Sequence, residues 1–289
     1  MRADAHLHFF QPGYAATLPE NCRRVQPDEV TLYEGLAQRY NITKALVVGY
    51  EGEPWAAGNN KYLARLAGSR PWLKPVAFVH DPAYLDIPTL IQWQQNRFAG
   101  LSFYLFQRRQ GETLKKAPAE VWDWLINHRW LISVNSRGEH WTMWLPILEK
   151  YPELRLLVSH LGLPPALAQP PEAPLVQQNL AAVLALARFP GVHIKLSGFY
   201  ALSQPGYNYP HQAVWPYIAA LLTTFGSQRL LWGSDFSPSL EWVSFPQTFG
   251  LFADIPFLDA AAISQIEGDN LLRLLAEQVD STQKGIVQE

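Results

Sequence analysis

The sequence predicts an α/β fold consisting of a single (β/α)8 TIM barrel. Eight short apolar runs recur along the 289-residue chain at intervals of roughly 25 to 40 residues, which is typical of β/α units in a parallel sheet. Amphipathic segments lie between the runs, and eight units favour a closed barrel over an open sheet. Such a barrel typically uses about 250 residues as one domain. The predicted strands span residues 3–9, 44–50, 74–79, 99–105, 130–134, 154–160, 192–198 and 229–235.

Start signals and apolar periodicity predict the helices between these strands. Pro27-Asp28-Glu29 is a helix start signal, and the apolar residues that follow it share one helical face. Residues 140–150 and 176–188 have the same periodicity. The barrel domain is predicted to comprise residues 1–278, followed by a polar C-terminal tail at residues 279–289.

Two long loops follow the first and sixth predicted strands, at residues 11–26 and 164–174. Both leave the C-terminal ends of strands, where barrel enzymes build and cover their active sites. We therefore expect the functional residues at this end of the barrel.

Composition excludes several classes of protein. The hydrophobic fraction of 48% suffices for a large core, and the net charge of −2 gives no reason to expect nucleic acid or an anionic membrane as a partner. One cysteine, Cys22, excludes an intramolecular disulfide framework and is compatible with a reducing cytosol. Because the first strand is predicted to begin at about Ala3, we expect no signal peptide, and no run approaches the roughly 18 apolar residues of a membrane span. We expect a cytoplasmic protein that acts on a small molecule; its oligomeric state does not follow from the sequence.

The first strand ends in the run Asp-Ala-His-Leu-His. Because side chains alternate along a strand, His6 and His8 share one face, with Asp4 behind them. Two adjacent imidazoles can hold a divalent metal or polarise a carbonyl group. Asp235 ends the eighth run, Leu-Trp-Gly-Ser-Asp, and barrel closure would bring it beside the histidines. The structural alternatives are a hydrogen-bonded histidine plug and an aspartate that caps backbone amides.

His160 ends the sixth run, Leu-Val-Ser-His-Leu-Gly, where it could act as a catalytic base or a metal ligand. The alternative is a core histidine that is bonded to a carbonyl. His80 also follows a strand, but the adjacent Asp81-Pro82 indicates an ordinary turn. We expect the remaining four histidines to be surface or packing residues: His128, His140, His193 and His211.

Four motifs together resemble the amidohydrolase superfamily. They are Asp-x-His-x-His on strand one, Ser-His-Leu-Gly on strand six, Lys-Leu-Ser-Gly on strand seven and Trp-Gly-Ser-Asp-Phe on strand eight. The chain is most similar to the amidohydrolase-2 branch, which contains sugar lactonases, 2-pyrone-4,6-dicarboxylate lactonase and, further off, metal-dependent nonoxidative decarboxylases. Gly268-Asp269-Asn270 is similar to a helix start of that branch. The resemblance covers residues 3–276.

The resemblance implies catalytic roles for His6, His8, His160 and Asp235. The counterpart of Asp235 in the family is the base that handles the protons of water or substrate. Lactone hydrolysis needs an electrophile on the carbonyl oxygen, a base for water and a proton donor for the departing ring oxygen. A divalent metal such as zinc on His6, His8 and Asp235 could be the electrophile. The imidazole N–H groups could also serve, so metal-free catalysis stays open.

The chain departs from the branch at the fifth and fourth strands. Metal-dependent members usually carry a histidine at the end of strand five, where this chain has Asn135 and Ser136, and an amide oxygen is a poorer zinc ligand than imidazole. At strand four the branch often has Gly-Ile-Arg, whereas this chain reads Gly-Leu-Ser. Arginines follow strands four and five instead. Three residues are therefore the predicted substrate-binding residues: Arg108, Asn135 and Arg137.

Two further features leave alternatives open. Lys195 could face the inside of strand seven, or it could equally face a helix or the surface. Aromatic residues at strand ends, such as Tyr104 and Tyr200, could stack on a sugar ring or pack beneath the loops.

The sequence therefore predicts a hydrolase that opens a sugar-derived or carboxylated lactone. A metal-dependent nonoxidative decarboxylase of an unsaturated or aromatic acid is the main alternative, and a non-catalytic ligand-binding barrel is another.

Overall fold

The computed structural model describes residues 1–11, 13 and 28–278. Within these ranges eight parallel strands form one sheet in sequential order, and helices connect them, so the prediction of a (β/α)8 barrel is confirmed. The strands are β1 (Arg2–Leu7), β2 (Ile42–Val48), β3 (Leu73–Phe78), β4 (Gly100–Leu105), β5 (Leu131–Ser136), β6 (Arg155–Val158), β7 (Val192–Leu196) and β8 (Leu230–Trp232).

The barrel is nearly closed by contacts between β1 and the residues that follow β8. Leu7 and Phe236 form a parallel bridge. The Asp235 amide donates a hydrogen bond to the His6 carbonyl at 2.8 Å, and the His8 amide donates to the Phe236 carbonyl at 2.7 Å. The seam of the barrel therefore runs through three of the four predicted catalytic residues.

The predicted strands agree with the observed ones apart from their ends. The sixth and eighth strands end at Val158 and Trp232, before His160 and Asp235. Both residues adopt left-handed backbone conformations, with φ values of 51° and 53°. Such φ values are incompatible with a strand, so the chain turns where the apolar pattern still predicts extension.

Twelve α-helices are present in the described ranges, several of them short. Asp28 caps the first helix, accepting hydrogen bonds from the amides of Val30 and Thr31, as its start signal predicted. The helices are α1 (Glu29–Arg39), α2 (Asn59–Ser69), α3 (Ile87–Gln95), α4 (Arg108–Leu114), α5 (Ala119–Asn127), α6 (Leu145–Lys150), α7 (Ala173–Leu184), α8 (Phe199–Leu202), α9 (Trp215–Phe225), α10 (Gln247–Gly250), α11 (Ala260–Ser264) and α12 (Asn270–Ala276).

Three predicted segments need adjustment. The segment at 140–150 is a 3-10 helix, Gly138–Trp144, that continues into α6. The segment at 176–188 is α7 followed by the 3-10 turn Ala185–Arg188. The predicted tail at residues 279–289 and most of the predicted loop at 11–26 lie outside the described residues.

Helix α12 covers the end of the barrel where the strands begin. Leu271 and Leu274 belong to a buried cluster with inner residues of the strands, such as Leu131 and Leu157. The guanidinium of Arg155, the first residue of β6, donates a hydrogen bond to the Leu274 carbonyl at 3.1 Å. The opposite end, where the strands finish, is therefore the end that can bind a ligand.

A larger apolar cluster packs the helices against the outside of the sheet. Among the described residues, no helix has both the length and the apolar character needed to cross a membrane.

Candidate active site

Three side chains meet at the C-terminal end of the barrel. Nε2 of His6 lies 3.1 Å from Nε2 of His8. Oδ1 of Asp235 lies 3.7 Å from the first nitrogen and 3.8 Å from the second. All three residues are buried, although His8 and Asp235 keep a small exposed fraction. The first and last strands thus bring together the residues that the sequence predicted from either end of the chain.

A buried carboxylate beneath this cluster holds the seam together. Asp4 Oδ1 accepts hydrogen bonds from the backbone amides of His6, at 3.1 Å, and Ser234, at 2.9 Å. Asp4 Oδ2 accepts a third from the Tyr33 hydroxyl at 2.9 Å. Burial raises the pKa of Asp4 to about 6, and the hydrogen bonds oppose that rise. Asp4 therefore connects β1 to the segment after β8 and fixes the backbone on which His6 and Asp235 stand.

Glycine is required at position 233, where the segment after β8 passes beside β1. A Cβ atom on Gly233 would lie 2.7 Å from Cβ of His6 and 3.1 Å from Cβ of Ser197. Real Cβ contacts are not that short, so a side chain here would displace His6. The glycine of the Trp-Gly-Ser-Asp motif thus allows β1 and β8 to approach closely.

His6 contacts a buried lysine on the side away from Asp235. Nδ1 of His6 lies 3.3 Å from Nζ of Lys195 and 3.4 Å from the Ser159 hydroxyl. Lys195 donates a second hydrogen bond to the Ser133 hydroxyl at 2.7 Å. Burial lowers the pKa of Lys195 to about 7. Burial, the Lys195 charge and the neighbouring histidines hold the pKa of His6 well below its usual range, so His6 is neutral at neutral pH.

His8 is oriented by the second strand. Its Nδ1 lies 2.9 Å from the Val48 carbonyl, which can only accept, so the Nδ1 proton is donated and Nε2 carries the lone pair. Burial lowers the pKa of His8, while Asp235 opposes the shift. The Phe10 ring stacks on the imidazole, with ring centroids 5.8 Å apart. His8 therefore presents a neutral nitrogen to the cluster.

His160 completes the group of histidines from the sixth strand. Its ring centroid lies 4.5 Å from that of His6, and its Nδ1 lies 2.9 Å from the Ser197 hydroxyl. Burial lowers its pKa. Gly198, at a φ of 65°, allows this packing, since a Cβ there would lie 2.6 Å from Nδ1 of His160. The Lys-Leu-Ser-Gly motif thus provides both a hydrogen-bond partner and the space for the imidazole.

Asp235 is held by two backbone hydrogen bonds and one side-chain hydrogen bond. Its amide donates to the His6 carbonyl, its carbonyl accepts from the Ser239 amide at 3.0 Å, and the Tyr200 hydroxyl donates to Oδ2 at 2.8 Å. Oδ1 remains directed at the two histidines. The indole of Trp242 stacks on the Tyr200 ring, with centroids 6.2 Å apart and planes inclined by 10°. Tyr200 therefore orients the carboxylate, and Trp242 packs behind it.

The donor set suits a divalent metal such as zinc. Ligand atoms of His6, His8 and Asp235 lie within 4.8 Å of one another. A tetrahedral zinc with bonds of about 2.0–2.2 Å separates its ligand atoms by about 3.3 Å, and the observed separations of 3.1, 3.7 and 3.8 Å lie on both sides of that value. Two imidazole nitrogens and one carboxylate oxygen are also preferred zinc ligands. The residues present fit the metal that the sequence suggested.

The predicted substrate-binding residues lie around the rim of the site. Arg108 is exposed at the first position of α4, and Arg137 is exposed just after β5, 6.0 Å from the Phe106 ring centroid. Asn135 is half-buried at the end of β5, and its Oδ1 is a buried acceptor with no partner among the described residues. None of the three contacts the histidine and aspartate cluster in the described structure, so substrate binding by them stays a prediction.

Sequence reasoning missed several polar residues around the cluster. Lys195 faces the barrel interior, a choice that the sequence left open. The sequence predicts only packing or stacking for Tyr200, whose hydroxyl binds Asp235. Tyr104 is half-buried, and burial and the charge of Asp235 raise its pKa well above its usual value, whereas a hydrogen bond from Asn135 opposes the rise. The two-residue spacing of Lys195 and Ser197, at and just after the end of β7, indicates that they share one face, but it does not indicate whether that face is inward.

Comparison with known proteins shows the family. Residues 3–276 match the family model described as Amidohydrolase. The chain belongs to the amidohydrolase family. The resemblance inferred from the four motifs is thereby confirmed, and the protein is an amidohydrolase-superfamily hydrolase.

This amidohydrolase is similar in sequence to a curated protein and in fold to several solved structures. L-Fucono-1,5-lactonase of Burkholderia ambifaria is 28% identical over 248 residues, which cover 82% of this chain and 81% of the relative. A Burkholderia multivorans amidohydrolase with bound HEPES superposes with a TM-score of 0.77 at 20% identity over 96% of this chain and 99% of that one. A second crystal form of the same protein contains zinc and gives a TM-score of 0.75. A probable 2-pyrone-4,6-dicarboxylic acid hydrolase from Acinetobacter baumannii, with citric acid bound, gives 0.70 at 17% identity over 95% and 99% of the two chains.

Proposed function

We propose that this amidohydrolase is a lactonase that opens a sugar-derived or carboxylated cyclic ester. The observation that carries the proposal is the convergence of His6, His8 and Asp235 at the C-terminal end of the barrel, close enough together to bind one metal ion. The sequence relationship to an L-fucono-1,5-lactonase over 82% of the chain supports a lactone as the substrate. The fold relationship to pyrone-dicarboxylate hydrolases is compatible with the same ester chemistry.

Asp235 is the general base of the proposed reaction. Water adds to the lactone carbonyl carbon, and its proton moves to Oδ1, because Oδ2 is held by the Tyr200 hydroxyl at 2.8 Å. The tetrahedral centre then collapses, and the bond between the carbonyl carbon and the ring oxygen breaks. The protonated Asp235 returns the proton to the departing ring oxygen, so that a hydroxy acid is released and the carboxylate is regenerated.

His6 and His160 polarise the lactone carbonyl by hydrogen bonding. The pKa values of all three histidines are lowered, so they are neutral at neutral pH. His8, whose Nδ1 proton is donated to the Val48 carbonyl, presents a lone pair on Nε2 that can bind a metal. A bound zinc ion would supply Lewis-acid polarisation of the carbonyl and acidify water. His6, His8 and Asp235 would hold it, and a zinc-containing relative with the same fold is consistent with this.

His160 orients the carbonyl from the side of the sixth strand. The Ser197 hydroxyl holds its Nδ1 at 2.9 Å, so the ring has one fixed direction next to His6. Three residues that begin α4, end β5 or directly follow β5 are proposed to bind polar groups of the substrate: Arg108, Asn135 and Arg137. Because they lie outside the catalytic cluster, they would determine which lactone is bound and not how it is opened.

The proposal is tested by hydrolysis assays with a pH indicator. Purified protein is assayed against sugar 1,4- and 1,5-lactones and pyrone carboxylates, with Asp235→Asn as the inactive variant. Asp254→Asn is the matched control, because Asp254 also accepts a tyrosine hydroxyl bond, from Tyr209 at 3.1 Å, but is exposed outside the cluster. We expect acid release that falls by at least three orders of magnitude in Asp235→Asn alone, with an unchanged circular dichroism spectrum.

Near-normal hydrolysis by Asp235→Asn would refute the mechanism. Carbon dioxide release from an aromatic or unsaturated acid, without acid release from any lactone, would replace the lactonase proposal by the decarboxylase alternative. Measurable affinity for one lactone without any turnover would support the non-catalytic alternative.

A further inference from the structure

The loops after β4 to β7 enclose a groove of about 560 Å³ at the C-terminal end of the barrel. Two of its lining residues adjoin the catalytic cluster along the chain. Leu163 follows His160 by three residues and donates its amide to the His160 carbonyl at 2.7 Å. Ala201 directly follows Tyr200, the residue that orients Asp235. Residues that line the groove therefore adjoin, along the chain, residues of the proposed lactone site.

The floor of the groove is apolar and fixed in place. It is formed by Leu163, two prolines, Ala166 and the buried Leu202. Leu167 donates its amide to the Leu202 carbonyl at 3.0 Å, and the loops after β6 and β7 are thus joined by a short parallel bridge. A floor of this kind can accept the C–H face of a ring without rearrangement.

The rim of the groove carries charges of both signs. Arg137 and Glu139 are exposed on the turn after β5, and His140 lies beside them. Neither charged side chain belongs to an ion pair of the described residues, so both can bind a ligand. A carboxylated group would be attracted by one and repelled by the other. Hydroxyl groups can donate to the carboxylate and accept from the guanidinium at once.

A second, independent polar group lies near the end of β5, the strand that leads into this rim. Asn135 precedes Arg137 by two residues, and its buried Oδ1 has no hydrogen-bond partner among the described residues. An unpaired buried acceptor is unfavourable, so a ligand group that donates a hydrogen bond to it would be favoured. A hydroxyl group supplies such a donor, whereas a carboxylate does not.

We propose that this groove binds a second, uncharged sugar ring, so that the preferred substrate is the lactone of a disaccharide aldonic acid. The inference rests on the proposed lactonase function and adds a second subsite to it. The lactone ring occupies the catalytic cluster, and the linked ring lies on the apolar floor with its hydroxyls on Arg137 and Glu139. A volume of about 560 Å³ falls within the range of about 300–1,000 Å³ for small-molecule sites, which is ample for one further sugar ring.

The test compares lactones that share one reacting ring. Glucono-1,5-lactone is compared with maltobiono-1,5-lactone and cellobiono-1,5-lactone, which carry a second glucose. We expect kcat/KM to be at least tenfold higher for one disaccharide lactone, which corresponds to about 1.4 kcal/mol. Ala166→Trp fills the groove and should remove this advantage while glucono-1,5-lactone is still hydrolysed. Ala261→Trp, at an exposed position of α11, is the matched control and should change neither rate.

A rim variant and a binding measurement make the outcome independent of folding and of turnover. If Ala166→Trp does not fold, Glu139→Gln replaces it and should also lower the ratio of kcat/KM for the disaccharide lactone to kcat/KM for glucono-1,5-lactone. Calorimetry with maltitol and cellobiitol, which cannot be hydrolysed, should show binding to the wild-type protein that Ala166→Trp lacks. The proposal would be overturned if both the rate advantage and polyol binding were absent. It would also be overturned if the wild-type protein preferred a carboxylated pyrone and the Arg137→Met variant lost that preference. Polyol binding without hydrolysis of any lactone would support the groove and refute the lactonase function.

Discussion

The buried lysine beneath His6 leads to a quantitative prediction about stability. Lys195 is fully buried, and burial lowers its pKa from 10.5 to about 7. Because the folded pKa lies below the unfolded value, the unfolded chain binds more protons between pH 7 and pH 10.5. The destabilisation is therefore fully present below about pH 7 and disappears as the pH rises toward 10.5.

The size of the effect follows from the two pKa values. One pH unit corresponds to about 1.4 kcal/mol, so Lys195 lowers the free energy of unfolding by about 4 kcal/mol at pH 7 and by about 1 kcal/mol at pH 9.5. Lys195→Met removes the charge and keeps a similar volume, but it leaves the Ser133 hydroxyl without its donor, at a cost of about 1–3 kcal/mol. We expect the variant to be more stable than wild type at pH 7 by about 1–3 kcal/mol, and not at pH 9.5.

The assay is urea unfolding followed by tryptophan fluorescence at both pH values, with EDTA present to remove metal linkage. Both values lie above the pKa of Asp4, which burial raises to about 6, so the titration of Asp4 contributes little. Lys61→Met, at an exposed position of α2, is the control for loss of a positive charge. A Lys195→Met effect that is equal at the two pH values would refute the reasoning. A stable variant without lactonase activity would show that the lysine is kept for function at the expense of stability.

Three further predictions follow from the geometry of the cluster. Gly233→Ala should lower the free energy of unfolding by about 1–3 kcal/mol and reduce kcat, because the new Cβ would lie 2.7 Å from Cβ of His6. The control is Gly68→Ala, which should not destabilise the protein because a Cβ there has open space. Equal melting temperatures for the two variants would contradict this prediction. Tyr200→Phe should lower kcat by about tenfold to a hundredfold with little change in KM, because Asp235 loses a hydrogen-bond donor at 2.8 Å. Tyr209→Phe is the control, since it removes a hydroxyl that binds Asp254 instead. An effect of Tyr200→Phe that is confined to KM would argue against the positioning role of Tyr200. His8→Ala should weaken zinc binding, measured by calorimetry, by at least tenfold, whereas His80→Ala, at an exposed position, should leave it unchanged. Equal zinc affinities of the two variants would place the metal elsewhere.

The sequence predicted the fold because its signals are periodic and repeated. Eight apolar runs separated by amphipathic segments have few alternatives to a barrel, and the order of the strands then brings β1 beside β8. The cluster followed from this closure: alternation placed His6 and His8 on one face, and the end of the eighth run placed Asp235 opposite them.

The contacts around the cluster were not predictable in the same way. The inward direction of Lys195 depends on the register of β7, which a five-residue strand does not reveal. Tyr200 lies in α8, a four-residue helix after β7, where strand alternation no longer gives the direction of a side chain. The exposed Arg108 and Arg137 lie in the connections after β4 and β5, whose conformations depend on tertiary contacts and not on periodicity.

The seam between β1 and the end of β8 has a consequence for biosynthesis. Asp4, His6 and His8 are translated more than two hundred residues before Ser234 and Asp235. The hydrogen bonds that close the seam also place Asp235 against the two histidines, so a nascent chain cannot hold the complete cluster of proposed catalytic residues until the residues after β8 have been translated. Appearance of hydrolytic activity during translation would therefore report the closure of the barrel.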